Sequence, residues 1–178
     1  MFKKNMPKTH RMISKNFKKN FYIKLTILTS IFLLDRITKL YVINLNDIFL
    51  DTEIYTSKFL NISLIWNNGI AFGLFSFDES YIYNLITIVI LIVIIFVFVM
   101  IINNDGIKHY ALLIIFSGAI GNLYDRIFYR AVPDFIDFHI GNFHFFIFNV
   151  ADIFITLGVF FMIFFELIGN NKEKYEKI

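Results

Sequence analysis

Four apolar stretches, separated by polar ones, divide the chain. The first runs from about Phe21 to Leu45 and is broken by Asp35, Arg36 and Lys39. The second predicts a helix over about 81–102. From Leu85 to Ile102 it holds eighteen residues without a charge, enough for a bilayer core of about 30 Å. Asn103-Asn104-Asp105-Gly106 is a turn signal, and a third helix follows over about 107–129. The fourth covers about 148–168. Between the first two helices, Phe59–Trp66 has aromatic and β-branched character with partial alternation, which predicts a strand. Asn67-Asn68-Gly69 then supplies a turn, and Ile70–Phe75 returns as a second strand. An isolated hairpin is marginal, so this one must rest on lipid or on another loop. Residues from about 130 to 147 read as a second outer loop.

Composition sharpens this into a membrane protein. The chain has 178 residues, 57% of them hydrophobic, against roughly 45–50% for soluble domains. It has no Cys, which excludes disulfides, thiolate nucleophiles and Cys-ligated metals. Residues 1–24 hold Lys3, Lys4, Lys8, Arg11, Lys15, Lys18, Lys19 and Lys24 and no acid. Such an arm could bind nucleic acid. Followed directly by an apolar run, it marks instead the cytoplasmic side of a first membrane helix. That start is similar to a secretory signal, but Asp35-Arg36 stand where small residues should mark cleavage, so the helix is read as uncleaved. Lys172, Lys174 and Lys177 collect at the other end. Four spans then leave both termini cytoplasmic. The expected organisation is a basic arm (1–20), a four-helix membrane domain (21–168) and a cytoplasmic tail (169–178).

Depth gathers the polar residues. Asp35 lies roughly 21 Å from the cytoplasmic entry of helix one, and Asn122 roughly 22 Å from that of helix three. Asp152 lies about 6 Å from the outer entry of helix four. Asp35, Lys39, Asn122, Asp125, Arg126 and Asp152 therefore share the outer third of the bilayer. Ionisable groups there face a bundle interior or a watery cavity, so one site is expected.

Asp35 and Lys39 are four apart and face the same way; as a self-neutralising pair they would buttress that site. Gly118 and Gly121 let a neighbouring helix approach closely. Asn122 and Arg126 share a face, where they either contact substrate carbonyls or, for Arg126, snorkel to the headgroups. Asp125 is a partner for an arginine. Asn149 is a good N-cap, and Asp152 three residues on completes a capping-box-like start. Asp134 alone reads as a turn acid. Paired, Asp134 and Asp152 have another use. Two close carboxylates in a low dielectric keep one proton between them. That provides the base and the acid that hydrolysis of a peptide bond by water requires. Other chemistries lack their parts. His139 and His144 sit five apart in the outer loop without metal-ligand spacing. No Ser has a plausible His partner, and no glycine loop cradles phosphate. Neither metal nor cofactor is expected. Buried carboxylates also make proton relays, so a small proton- or ion-coupled transport protein is the alternative. Its drawback is that the polar residues sit at one depth.

Five motifs in order carry a resemblance from Phe21 to Ile168: Asp35-x-x-x-Lys39; Asn67-x-Gly69-x-Ala71-Phe72; Gly118 to Arg126; and the segments ending in Asp134 and Asp152. In these the chain resembles the lipoprotein signal peptidase (signal peptidase II) family of bacterial membrane aspartyl peptidases. The resemblance implies four inner-membrane helices with a small extracytoplasmic β-rich cradle and an interfacial helix over the site. It implies cleavage of prolipoproteins just before a diacylglyceryl-modified Cys, with a site towards the outer face. It implies Asp134 and Asp152 as the catalytic pair and Asn67, Gly69, Asn122, Arg126, Asn149, Asp35 and Lys39 as support. Globomycin-type inhibitors would occupy the pair, and the partners are lipidated precursors and membrane lipid. Pro133 departs from the pattern, which usually has Val there. Pro removes an N–H and holds Val132 extended.

Overall fold

The structure is a computed structural model and describes residues 8–49, 54–69 and 79–175. Its helices are α1 (Lys8–Phe49), α2 (Glu79–Asn103), α3 (Gly106–Tyr129) and α4 (Val150–Tyr175). Its strands are β1 (Tyr55–Thr56), β2 (Leu60–Asn67), β3 (Val132–Ile140) and β4 (Phe143–Phe148).

Among the described residues, three helices are long and apolar enough to cross a membrane: Tyr81–Asn103, Gly106–Tyr129 and Val150–Ile168. Their outward side chains include Ile92, Phe96, Phe160 and Leu167, all more than half exposed. A surface of that kind suits lipid rather than water. The protein is thus a membrane-type, mainly helical fold. α1 is different. It begins at Lys8 rather than Phe21, since no Gly or Pro interrupts residues 8–49. It is roughly 63 Å long, but Lys24, Asp35, Arg36 and Lys39 break its apolar run.

α3 is central and packs against α1, α2 and α4. Gly118 and Gly121 admit those neighbours, as their spacing predicts. A methyl at Gly118 would lie 2.6 Å from the Ala151 carbonyl oxygen of α4, and one at Gly121 would lie 2.7 Å from Oδ2 of Asp35.

The strands form one antiparallel sheet in the order β1-β2-β3-β4. β2 realises the predicted strand. Its partner is β3, with Leu60 opposite Phe138 and Asn67 opposite Val132. The second strand expected at 70–75 lies outside the described residues. Residues 132–148, expected as loop, are instead the β3–β4 hairpin, with Ile136 opposite Phe148 and Ile140 opposite Phe143. The cause is visible in the chain: Asp137, Phe138, His139 and Ile140 alternate, and Gly141-Asn142 is a two-residue hairpin turn. Pro133 is buried opposite Trp66. β4 pairs only from Ile136 onward, so Pro133 has a strand on one side only. A residue without an N–H fits such a place.

Candidate active site

The site is built on a buried, charge-balanced cluster. Asp35, Lys39 and Asp125 are fully buried, and Arg36 nearly so. Lys39 Nζ uses all three of its donors: on Asp35 Oδ1 at 3.0 Å, Asp125 Oδ2 at 2.7 Å and Asn122 Oδ1 at 2.8 Å. Arg36 bridges both acids, through Nη2 to Asp35 Oδ2 at 2.8 Å and to Asp125 Oδ2 at 2.7 Å, and through Nη1 to Asp125 Oδ1. Two cations therefore face two carboxylates, the condition under which burying charge is tolerable. The Arg36 guanidinium also lies 4.9 Å from the centroid of the Tyr124 ring. Asp35 also reaches a second helix, where its Oδ1 accepts the Ala151 N–H of α4 at 3.0 Å. That N–H belongs to the first turn, where no intrahelical acceptor exists and the helix dipole favours negative charge.

Three asparagines hold the other two acids, all by one construction, and Asn122 ties them to this cluster. Asn122 accepts from Lys39 through its oxygen and donates from Nδ2 to Asp152 Oδ1 at 2.7 Å. Asn149 accepts the Asp152 N–H on Oδ1 at 3.1 Å and donates to Asp134 Oδ1 at 2.6 Å. Asn67 accepts the Gly69 N–H on Oδ1 at 2.7 Å and donates to Asp134 Oδ2 at 2.8 Å. In each case the oxygen faces a group that can only donate, so the amide nitrogen must face the carboxylate. The predicted capping pair is present as well: the Asn149 N–H donates to Asp152 Oδ2 at 3.1 Å while the Asp152 N–H returns to Asn149. Asn149 thus bridges Asp134 and Asp152, with its main chain on one and its side chain on the other.

Asp134 and Asp152 line one cavity of about 350 Å³ with Asn67, Asn122, Arg126 and Asn149. The rest of its wall is apolar: Val89, Ile90, Val93, Ile94 and Val97 of α2, Ile115 and Ala119 of α3, Val132 of β3 and Ile155 of α4. Burial pushes the Asp134 carboxyl up from 3.8 to about 6, with the nearby Asp152 charge adding to it. The Asn67 and Asn149 hydrogen bonds and the Lys39 charge pull the other way. A carboxyl poised there carries or releases a proton near neutrality.

Arg126 also lines the cavity. Its guanidinium packs on Gly69, which has φ +83; a Cβ there would lie 3.1 Å from Nη1. A positive φ and a packed cation both demand glycine. Nη1 is buried without a hydrogen-bond partner among the described residues. Arg126 therefore does not snorkel outward.

Every sequence-predicted site residue stands in this network or on its wall. Ala71 and Phe72 of the outer-loop motif lie outside the described residues. Two residues were missed. Arg36 was masked by the Asp35–Lys39 spacing, although it adjoins Asp35 and Asp125 needed a partner. Ala151 contributes only its main chain, which no side-chain motif announces. The histidines are on strands rather than in a loop. His139 and His144 face each other with rings 5.1 Å apart, and His144 Nδ1 lies 2.7 Å from Asp137 Oδ2. Among the described residues no group of three or more His, Cys, Asp or Glu could hold a metal ion.

A membrane-type helical bundle, capped by a small sheet and holding two acids on one cavity, defines the class: a membrane-embedded protein with an internal polar site. The chain belongs to the signal peptidase (SPase) II family, whose profile matches residues 27–168. The lipoprotein signal peptidase of Pelagibacter ubique (strain HTCC1062) is 55% identical over 159 residues, 89% of this chain and 96% of that protein. The lipoprotein signal peptidase of Aquifex aeolicus (strain VF5) is 39% identical over 152 residues, 84% of this chain and 89% of its own. A solved bacterial membrane enzyme, determined by the in meso method at 2.3 Å, shares 32% identity with a TM-score of 0.62, covering 84% of this chain and 90% of that one.

Proposed function

We propose that this chain is an aspartyl endopeptidase of the bacterial inner membrane. It removes the signal peptide from diacylglyceryl-modified prolipoproteins by cleaving before the lipidated cysteine. One observation carries the reading: Asp134 and Asp152 line the same cavity, bridged by Asn149, with an apolar wall for a lipid-borne substrate. Membership of the signal peptidase II family and relatives called lipoprotein signal peptidase support it; nothing among them supports a transporter.

The mechanism follows from one proton held between two carboxylates. The ionised acid takes a proton from water as the water oxygen attacks the scissile carbonyl. The protonated acid gives its proton to the carbonyl oxygen, forming a neutral tetrahedral adduct. Collapse breaks the C–N bond, a proton passes to the leaving amine, and the pair regains its starting state. Asn67 and Asn149 hold Asp134; Asn122 and the Asn149 main chain hold Asp152. Arg126 offers its open N–H to a peptide carbonyl. Asp35, Arg36, Lys39 and Asp125 keep the surrounding charge at zero. Globomycin-type inhibitors block the reaction by occupying the pair.

α1 is the fourth span, since Asp35, Arg36 and Lys39 are all paired inside the bundle and present no bare charge to lipid. Both termini are then cytoplasmic and the sheet and cavity lie towards the outer face. Residues 1–20 form the basic arm, 21–168 the membrane domain and 169–178 the tail. The test is purified protein in detergent, with no gradient, acting on a lipidated precursor peptide. Cleavage before the lipidated cysteine is expected, and Asp134→Asn and Asp152→Asn should each abolish it while the protein still folds. Near-normal turnover by either variant would sink the assignment.

A further inference from the structure

The α2 residues that line the cavity, Val89, Ile90, Val93, Ile94 and Val97, are all apolar. Tyr83 stands near the start of α2. Its O–H donates to the Arg126 carbonyl oxygen at 2.6 Å. Arg126 lies in the last turn of α3, where carbonyls lose their intrahelical donors. The same Tyr83 ring lies under the Arg126 guanidinium, 5.7 Å from Cζ to the ring centroid, within range of a cation–π contact. Tyr83 thus grips Arg126 at both ends, main chain and cation. The Gly69 backbone closes another side of the guanidinium. What remains open is Nη1, buried and without a hydrogen-bond partner among the described residues, on a side chain that lines the cavity.

We propose that Tyr83 is a positioning residue for substrate binding: it holds Arg126 so that the guanidinium N–H without a partner among the described residues meets a carbonyl oxygen of the bound peptide. The proposal rests on the peptidase reading above. Tyr83 itself does not line the cavity, so its effect must pass through Arg126. A contact with a main-chain carbonyl away from the scissile bond is made in ground and transition states alike. Its weakening raises KM and leaves kcat.

The experiment is steady-state cleavage of one lipidated precursor peptide by detergent-purified protein. Tyr83→Phe keeps the ring and loses the O–H; KM should rise about twofold. Tyr83→Leu loses both grips; KM should rise about five- to tenfold with kcat within about twofold. Tyr81→Phe, a change at an exposed neighbour on the same helix, should match wild type. In an Arg126→Gln background, Tyr83→Leu should add nothing further to KM. A merely structural Tyr83 would instead lower the folded fraction, and so kcat, at constant KM. That result, or an undiminished KM effect in the Arg126→Gln background, overturns the positioning role and leaves the peptidase reading standing. Absence of turnover by the wild-type protein overturns the peptidase reading and this assignment with it.

Discussion

Asn67→Asp is the sharpest single test of the site. Asn67 Oδ1 accepts the Gly69 N–H, and an aspartate oxygen would keep that bond. The other oxygen would replace Nδ2, 2.8 Å from Asp134 Oδ2. A donor–acceptor contact becomes an acceptor–acceptor contact between two carboxylates. At an effective dielectric of about 20, two full charges at that distance repel by about 6 kcal/mol. That equals about four pKa units, so the two groups would share a proton rather than both ionise. With side-chain relaxation absorbing half of this, the ionisation of Asp134 should move up by about two units from its present value. The ionised fraction at neutral pH then drops from about nine-tenths to about one-tenth, so turnover should fall about tenfold, and much of it should return in mildly alkaline buffer. Asn68→Asp adds the same charge one residue away. Asn68 is exposed and outside the cavity, so that variant should stay within about twofold of wild type. The assay is turnover of one lipidated precursor peptide from mildly acid to mildly alkaline pH. Equal, mild effects at both positions would make Asn67 a turn residue only. A deep loss that no alkaline pH relieves would refute the electrostatic account.

Asp134 also links stability to pH. Its carboxyl is raised from 3.8 to about 6 in the fold, so the folded state favours the protonated form. That contribution is fully present below about pH 4 and is lost as pH rises through about 6, a change of up to about 3 kcal/mol. Asp134→Asn should therefore gain in melting temperature on wild type as pH goes from acid to neutral; a pH-independent gap would contradict the burial argument. Arg36→Gln should destabilise by about 3–5 kcal/mol, because Asp35 and Asp125 would be left buried with Lys39 alone between them. Chemical unfolding in detergent reads this, and a loss below about 1 kcal/mol would mean the cluster tolerates a net negative charge.

Much of the site was legible because polar residues in an apolar chain carry unusual information. Asp35, Asn122 and Asp152 could be set at one depth by counting helical rise alone, and the structure joins them through Lys39 and Asn122. The helices were legible for the same reason: α2 and α3 start and stop within two residues of where charge and turn signals put them. α1 ran longer than its apolar core because helix length is limited by breakers, and residues 8–49 contain none. The β3–β4 hairpin was less legible. Phe143, Phe145 and Phe146 blur the alternation of β4, whose register against β3 shifts between Phe138 and His139, and a bulge defeats a period-two reading.

What no spacing could supply was the direction of each amide. Asn67, Asn122 and Asn149 read from the chain as a turn residue, a helix-face polar residue and a cap. Each of those readings holds in the structure, and each uses the amide oxygen: for the Gly69 N–H, for Lys39 and for the Asp152 N–H. The local role therefore fixes one end of the side chain and leaves the nitrogen to point at Asp134 or Asp152. Turn, helix and cap orient the donors without any residue devoted to that purpose. This explains why the local readings were sound and yet incomplete: an asparagine has two ends, and the second end is decided by what the fold brings opposite it. Asp35 follows the same logic, neutralised by Arg36 and Lys39 on α1 while still accepting the Ala151 N–H of α4. A substitution that preserves only the local role, such as aspartate at 67, should keep the fold and lose the site.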